Sequence, residues 1–351
     1  MNNVRLKNII KYAYEKVPFY INKDIDKKIF EDENALNILR QLPVVDKEDI
    51  IKSDNNISAE YAINRKQDIT YAHTSGSTGK CMDIMWDKSD VNKSMLSLWL
   101  YRLKYYGIKM SDRLCYFYTT GNFPESRELK TDYEEGRNRL GFSKLNLNEN
   151  RIAEIYKHMK EYRPVWINMQ PSIGMLLAEY INRNKLEKIQ ELKYIELTGE
   201  MLFDNVRKEI EKAFGCRVAN QYGCYEGNSI AYECPCGNLH CMEENIYVEV
   251  LDKEGKEVPE GSEGDIVITT LHNHAMPFIR YRIGDRGILD RNTRCNCGNI
   301  SSVLRLKSER ISDYAVLKDG SKINSYVFVR AIDMARLKEN TNVLFFQSAS
   351  L

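Results

Sequence analysis

Between residues 114 and 214 short apolar extended runs alternate with segments whose apolar residues recur at helical spacing. Leu114-Cys115-Tyr116-Phe117-Tyr118 reads as a strand, Ile152 to Tyr162 as a helix, Val165-Trp166-Ile167-Asn168 as a strand and Ser172 to Asn182 as a helix. Tyr194-Ile195-Glu196-Leu197 then reads as a strand and Phe203 to Phe214 as a helix. Strands separated by helical crossovers form parallel βαβ units, so this stretch predicts an α/β fold with a parallel sheet.

The flanks differ in character. Residues 1 to about 65 read as helical and charged, with a short extended stretch at Leu42-Pro43-Val44-Val45 and a helix starting at Lys47-Glu48-Asp49-Ile50-Ile51. Ile69, Tyr71 and His73 alternate as in a strand that runs straight into Thr74-Ser75-Gly76-Ser77-Thr78-Gly79-Lys80, and Asp87 to Tyr106 reads as a helix. After about residue 225, Tyr247 to Leu251 and Asp265 to Thr270 are strands around a Gly- and Pro-bearing turn, a β-meander pattern.

Lys+Arg (51) nearly balance Asp+Glu (50), so no global field favours nucleic acid or an anionic lipid surface. The N-terminal stretch lacks the apolar core of a signal peptide; Val4, Leu6, Ile9, Ile10, Tyr12 and Ala13 recur at helical spacing instead. No run approaches the ~18 apolar residues of a membrane span. These features predict a cytoplasmic protein without nucleic-acid or membrane partners; the sequence is compatible with a dimer and does not fix the oligomeric state.

The segment Thr74 to Lys80 joins two glycines that admit close backbone approach, four hydroxyls that donate hydrogen bonds, and a lysine charge, which together suit a polyphosphate. It is not a Walker A loop, which needs Gly where Thr74 stands and Ser or Thr where Cys81 stands. On this segment alone, a Ser/Gly-rich surface loop is the alternative.

Four segments in order carry a family resemblance. The strand followed by TSGSTGK resembles the signature loop of the adenylate-forming superfamily of acyl-CoA ligases, with Cys81 in place of its usual Pro. Thr198-Gly199-Glu200 resembles its adenine-side loop, and Gln221-Tyr222-Gly223-Cys224-Tyr225-Glu226 its Tyr-Gly-x-Thr-Glu motif, with Tyr225 for Thr. Tyr281-Arg282-Ile283-Gly284-Asp285 resembles its Tyr-Arg-Thr-Gly-Asp motif. LPVVDKEDI before the loop and MPFIRYRIGD late in the chain are similar to the phenylacetate–CoA ligase branch and its capsule-biosynthesis relatives. The resemblance covers roughly residues 40–320.

It implies that an acid carboxylate attacks the α-phosphorus of ATP and pyrophosphate leaves. The acyl group would then pass to coenzyme A or to another thiol or amine. Two anions must meet, so catalysis would rest on charge neutralisation and alignment. By the same resemblance Lys80, Glu226 and Arg310 form the catalytic set. Thr74, Ser75, Gly76, Ser77, Thr78, Gly79 and Lys80 hold phosphates, and Gly199, Glu200, Gln221, Tyr222 and Gly223 flank the adenine. Asp285 takes the ribose hydroxyls, Arg310 the ribose or a phosphate, and Glu226 binds Mg²⁺, a hard cation suited to carboxylate oxygen. Glu309-Arg310-Ile311-Ser312-Asp313 resembles the family's Gly-Arg-x-x-Asp hinge, with Glu309 for Gly. Acid-pocket walls are expected from Tyr116–Asn122, Gln170–Ile173 and Glu196–Met201; their aromatics suggest an aryl or aliphatic acid.

Nine cysteines in a chain without a secretion signal favour metal over disulfides where they are paired. Cys234-Pro235-Cys236-Gly237 and Cys295-Asn296-Cys297-Gly298 are two C-x-C-G units, each with a glycine that permits a tight turn. Four N/S ligands suit structural Zn²⁺. Cys234, Cys295 and Cys297 lead, while Cys236 and His240 compete for the fourth place; the resemblance implies a histidine near His240. Separately buried free cysteines are the bland alternative.

The expected organisation is an α/β nucleotide- and acid-binding core over 1–225, a zinc-stabilised β-rich subdomain over 226–310, and a hinge with the remnant of a lid over 311–351. The family's lid supplies a lysine that bridges the acyl carboxylate and the α-phosphate. Lys318 and Lys322 match no such motif, so a truncated or reduced lid is expected. Two other readings compete: an adenylyltransferase acting on a hydroxyl-bearing coenzyme, and a nucleotide-binding pseudoenzyme.

Overall fold

A computed structural model of the chain describes residues 3–53, 64, 68–73, 82–118, 133–144, 147–307, 314–316 and 322–324. The loop 74–80, Cys81, the stretch 119–122, Arg310, Asp313 and Lys318 lie outside the described residues.

The N-terminal helix Asn3–Lys16 buries Leu6, Ile9, Ile10, Ala13 and Tyr14, a stripe at helical spacing. The short helices Pro18–Ile21, Ala35–Gln41 and Lys47–Lys52 follow. Strands β1 (Ile69–His73) and β2 (Asp83–Asp87) then pair antiparallel as a separate ribbon.

Twelve strands among the described residues form one mixed sheet. Its parallel part contains β3 (Leu114–Tyr118), with the hairpin β4 (Tyr133–Gly136) and β5 (Arg139–Ser143) at one edge. Beyond β3 come β6 (Trp166–Met169), β7 (Tyr194–Thr198) and β8 (Arg217–Cys224), each parallel to the last. The crossovers are the helices Glu149–Tyr162, Pro171–Arg183 and Asp204–Phe214, so the alternation in the sequence is indeed a run of βαβ units. The first of these helices begins a turn earlier than its apolar period suggests, because the Asn148 side chain accepts from Arg151 N at 3.0 Å and caps it.

At β8 the sheet turns antiparallel. β9 (Asn228–Glu233), β10 (Leu239–Cys241), β11 (Ile246–Leu251), β12 (Glu263–Thr270), β13 (Tyr281–Asp290) and β14 (Val303–Leu306) complete it. The spatial order is β11-β12-β13-β14-β10-β9-β8-β7-β6-β3-β5-β4. The β-rich stretch after residue 225 therefore continues the sheet of the α/β stretch. A small pair, β15 (Tyr314–Val316) and β16 (Lys322–Asn324), stands apart from it.

Because side chains alternate across a strand, the parallel part has two differently filled faces. Ile167, Ile195, Leu197 and Val218 pack against the three crossover helices. Trp166, Tyr194 and Ala219 face the other way, toward the helix Lys88–Tyr106. That helix is capped by Asp87, which accepts from Ser89 N at 2.7 Å, and ends at Gly107 with φ 68°.

The N-terminal helices share their core with the antiparallel half, among Ile246, Val248, Ile266 and Ile268. Tyr20 shows how tightly: fully buried, its hydroxyl donates to Pro277 O at 3.1 Å and accepts from Ile279 N at 3.0 Å. Burial of each Leu or Ile here contributes about 1.5–3 kcal/mol. No helix among the described residues is long and apolar enough to cross a membrane.

Candidate functional site

Open α/β sheets place ligands beyond the carboxyl ends of their parallel strands. Thr198-Gly199-Glu200 leaves the end of β7, and Gln170 directly follows β6. Gln221 to Cys224 end β8, with Tyr225 and Glu226 in the turn to β9. Three of the segments expected to bind thus meet along one rim.

Each has a local cause. The Thr198 hydroxyl donates to Gln221 Oε1, and Gln221 Nε2 donates to Ser229 Oγ at 3.0 Å, so both ends of that amide are engaged. Gly199 has φ 82°, a conformation that favours glycine. Glu200 bends back over the helix Pro171–Arg183, accepting from Ser172 N at 2.9 Å and Ser172 Oγ at 2.8 Å. Gln170 makes no side-chain cap there, so Glu200 supplies the carboxylate that a helix N-terminus favours.

The turn after β8 is tighter still. A Cβ on Gly223 would lie 2.0 Å from Asn228 O, closer than any real contact. Asn228 takes φ 55° and donates from Nδ2 to Ser94 Oγ at 2.7 Å, while Trp86 Nε1 donates to Tyr225 O at 2.9 Å. This reversal turns Glu226 inward, where the Tyr281 hydroxyl donates to Oε1 at 3.2 Å. Burial, then the Glu226 charge, push the Tyr281 phenol up, so it stays a donor. Beside it the Tyr222 hydroxyl donates to Asp285 Oδ2 at 2.8 Å. Tyr222 and Glu226 are thereby brought to Asp285 and Tyr281, 63 and 55 residues further along the chain. Burial and then the Glu226 charge raise the neighbouring Cys224 thiol well above its ordinary range.

The two branch-like segments also meet. Val45 N donates to Arg280 O at 2.8 Å and Arg282 N to Val45 O at 2.9 Å. Arg280, buried at φ 50°, donates to Leu42 O at 2.6 Å and pairs with Glu249 at 3.1 Å. Arg282 pairs with Asp46 at 3.1 Å and Asp265 at 3.2 Å.

One expectation is corrected. Glu196 does not line an acid pocket: it is fully buried on the face toward the helix Lys88–Tyr106. Arg102 grips it with Nε at 2.8 Å and Nη2 at 2.5 Å, and Asn168, Tyr194 and Tyr232 donate to it at 2.8, 2.9 and 3.0 Å. Trp99 and Trp166 flank the guanidinium at 4.5 and 4.8 Å. Burial opposes the charge of Glu196, but Arg102 prevails and holds its carboxyl below the usual range. A lone acid inside the apolar run Tyr194–Leu197 was the available signal, since such a charge needs a buried partner.

A second cluster lies where β9, β10 and the loop before β14 converge. One ligand atom each of Cys234, His240, Cys295 and Cys297 lies within 4.8 Å of all the others. The turns match: Gly237 N donates to Cys234 O at 2.9 Å and Gly298 N to Cys295 O at 3.0 Å, with φ of 81° and 76° at the glycines. The Cys234 and Cys295 sulfurs stand 3.6 Å apart, and His240 Nε2 is 3.4 Å from Cys297 Sγ. A tetrahedral Zn²⁺ with bonds of about 2.3 Å to sulfur and 2.0 Å to nitrogen sets ligand separations of about 3.5–3.8 Å. The donor set and spacing fit that ion. His240 Nδ1 lies 3.0 Å from Ser301 O, a carbonyl that takes the Nδ1 proton and leaves Nε2 as the ligand. Cys236 is exposed and outside the four. Although burial works against it, hydrogen bonds from Cys297 N and the Asn238 amide hold the Cys295 thiol down to about 5, the thiolate form a metal takes.

The model for AMP-binding enzymes matches residues 4–273. This chain belongs to that family. It lies in the phenylacetate–CoA ligase-like branch, by its similarity to phenylacetate-coenzyme A ligases and to a CapK protein. It is 28% identical over 304 residues to the phenylacetate-coenzyme A ligase of Thermus thermophilus, covering 84% of this chain and 66% of that one. The Escherichia coli ligase is 27% identical, with 80% of this chain and 64% of that one covered. Protein CapK of Staphylococcus aureus is 25% identical, with 84% and 64% covered. The chain thus spans about two thirds of the length of these relatives. Among solved structures, 2-hydroxyisobutyryl-CoA ligase with 2-HIB-AMP superposes with a TM-score of 0.73 at 21% identity, covering 94% of this chain and 71% of that one. The α/β adenylate-forming fold with its large mixed sheet is shared. Within the family match fall the loop 74–80, Gly199, Glu200 and the Gln221–Glu226 turn; Asp285 lies beyond it.

Proposed function

We propose that this chain activates a small carboxylic acid with ATP as an acyl-adenylate and passes the acyl group to coenzyme A. The observation that carries the reading is the meeting of Glu226, Tyr222 and Asp285 at one rim, each in a family motif. In the first step an acid carboxylate oxygen bonds to the α-phosphorus while the bond from that phosphorus to the bridging oxygen of pyrophosphate breaks. In the second, the acceptor thiolate attacks the acyl carbon and AMP leaves. The thiol proton goes to solvent.

Thr74 to Lys80 would hold the β- and γ-phosphates. Gly199, Tyr222 and Gly223 would flank the adenine, braced by Gln221 and Glu200. The Asp285 carboxylate, oriented by the Tyr222 hydroxyl, would take the ribose hydroxyls. Glu226 would be the Mg²⁺ ligand, and that ion would neutralise phosphate charge as the pyrophosphate leaves. Arg310 would contact the ribose or a phosphate, with Asp313 as hinge.

Cys234, His240, Cys295 and Cys297 would hold a structural Zn²⁺ between β9, β10 and β14; four protein ligands leave no open position for catalysis. The division into a core (1–225), a β-rich unit (226–310) and a hinge with reduced lid (311–351) belongs to the same reading. ATP–pyrophosphate exchange across aryl, fatty and amino acids is the test. Exchange that requires one class of acid supports the proposal. Absence of exchange with every acid, while ATP still binds, overturns it in favour of a nucleotide-binding protein without ligase activity.

A further inference from the structure

Lys144 follows the last residue of β5, and its backbone N donates to Tyr118 O at the end of β3. It therefore stands on the same rim as Gln170 and Glu200. Its side chain is partly buried, yet the ammonium has no hydrogen bond or ion pair among the described residues. Burial lowers its proton affinity, and the charge of Glu200 offsets this only in part. Glu200 acts on it only at a distance: its carboxylate accepts from Ser172 N and Oγ, and no ion pair joins it to Lys144 among the described residues. Gln170 leaves a second gap. Its Oε1 is buried without a partner, and its amide lies against Gly199, where an added Cβ would be 3.8 Å away. Turning the amide would only exchange a lone acceptor for a lone donor. A half-buried ammonium and a buried amide oxygen, both unpartnered, are costly unless a ligand or a turned amide meeting a ligand satisfies them.

We propose that Lys144, with Gln170 on the same rim, selects the acid by receiving a second anionic group at its far end, so that the substrate is a dicarboxylic acid. This rests on the ligase reading above and replaces the plain aryl or aliphatic acid expected from the sequence. The position argues for the far end. β5 lies four strands from β8 in the sheet order, toward the β4 edge, while Glu226 follows β8. Lys144 therefore stands on the part of the rim away from the β8 turn, where the acid's other end would lie.

The test uses the full chain and two matched pairs: phenylacetate with 4-carboxyphenylacetate, and hexanoate with adipate. ATP–pyrophosphate exchange is read alongside calorimetric binding of each acid, for the wild type and for Lys144→Met and Lys144→Arg. The expected result is a KM at least ~30-fold lower for the diacid of the preferred pair. Lys144→Met should remove that preference while leaving the monoacid unchanged, and Lys144→Arg should restore most of it, with melting temperatures of both variants near the wild type. Exchange that favours the monoacids and ignores Lys144→Met overturns the proposal and leaves the ligase reading standing. Lys144-dependent diacid binding without exchange keeps the pocket and overturns the ligase. Neither binding nor exchange overturns both.

Discussion

The carbonyl of Asn228 occupies the space that any side chain at Gly223 would need, and this exclusion sets the path of the five residues that follow. Because the turn is that tight, Glu226 enters the protein on a fixed trajectory and meets the Tyr281 hydroxyl rather than solvent. A carboxylate so held is pre-organised for a hard cation, and its replacement should cost catalysis more than folding. Glu226→Gln keeps an oxygen for Tyr281 but loses the charge. Pyrophosphate exchange should fall at least ~100-fold, with the melting temperature within a few degrees of wild type and ATP binding retained in the absence of Mg²⁺. Equal exchange in the two proteins would remove Glu226 from the metal's coordination. Tyr222 and Asp285 were each legible in the sequence as motif members. Their mutual hydrogen bond was not, because nothing in either motif encodes how β8 and β13, which are not neighbours in the sheet, come together.

At the level of elements, the parallel half was readable because its signal is periodic. Leu114–Tyr118 is a strand over the residues expected, and the helices Glu149–Tyr162, Pro171–Arg183 and Asp204–Phe214 each contain nearly the whole expected segment. The hairpin β4–β5 went unseen, since Tyr133-Glu134-Glu135-Gly136 has no apolar alternation to announce it. Also unseen was the polar pillar between the helix Lys88–Tyr106 and β7, because Arg102 and Glu196 are 94 residues apart. Its pH behaviour follows from its sign. Glu196 has a lower proton affinity folded than unfolded, so the unfolded chain takes up the proton first. Its stabilisation is complete above the ordinary glutamate value of about 4.3 and is lost as pH falls through the lower folded value. Denaturant titrations from pH 6 to pH 3 should show stability falling at the acid end. Glu196→Gln should be less stable by about 3–5 kcal/mol at pH 6, with Arg102 left unpaired, and flatter toward acid. An unchanged acid slope in the variant would exclude Glu196 as its source.

Over the whole molecule, the thiol–imidazole cluster closes the antiparallel half and also touches the helix that packs on the parallel half. Asn299, whose N donates to Cys297 Sγ at 3.4 Å, reaches the Tyr101 and Tyr105 hydroxyls of that helix at 3.2 and 3.0 Å. A zinc ion held there as proposed would tie both together, and its loss should loosen more than one hairpin. One zinc per chain is expected by elemental analysis. Chelation or Cys297→Ser should lower the melting temperature by ~5 °C or more, whereas Cys236→Ser should leave it unchanged. A metal-free protein with unaltered melting would refute the structural role. The strip Leu42–Val45 has a consequence of another kind. Its partners Arg280 and Tyr281 are translated some 235 residues later, roughly 10–50 s at the pace of a ribosome. Throughout that interval only the short helices that follow can cover the apolar stripe of the first helix, and the sheet side of its core is missing. The helices ahead of the sheet thus complete their cover only once its antiparallel half exists, and until then they are the part of the nascent chain most open to chaperones and proteases.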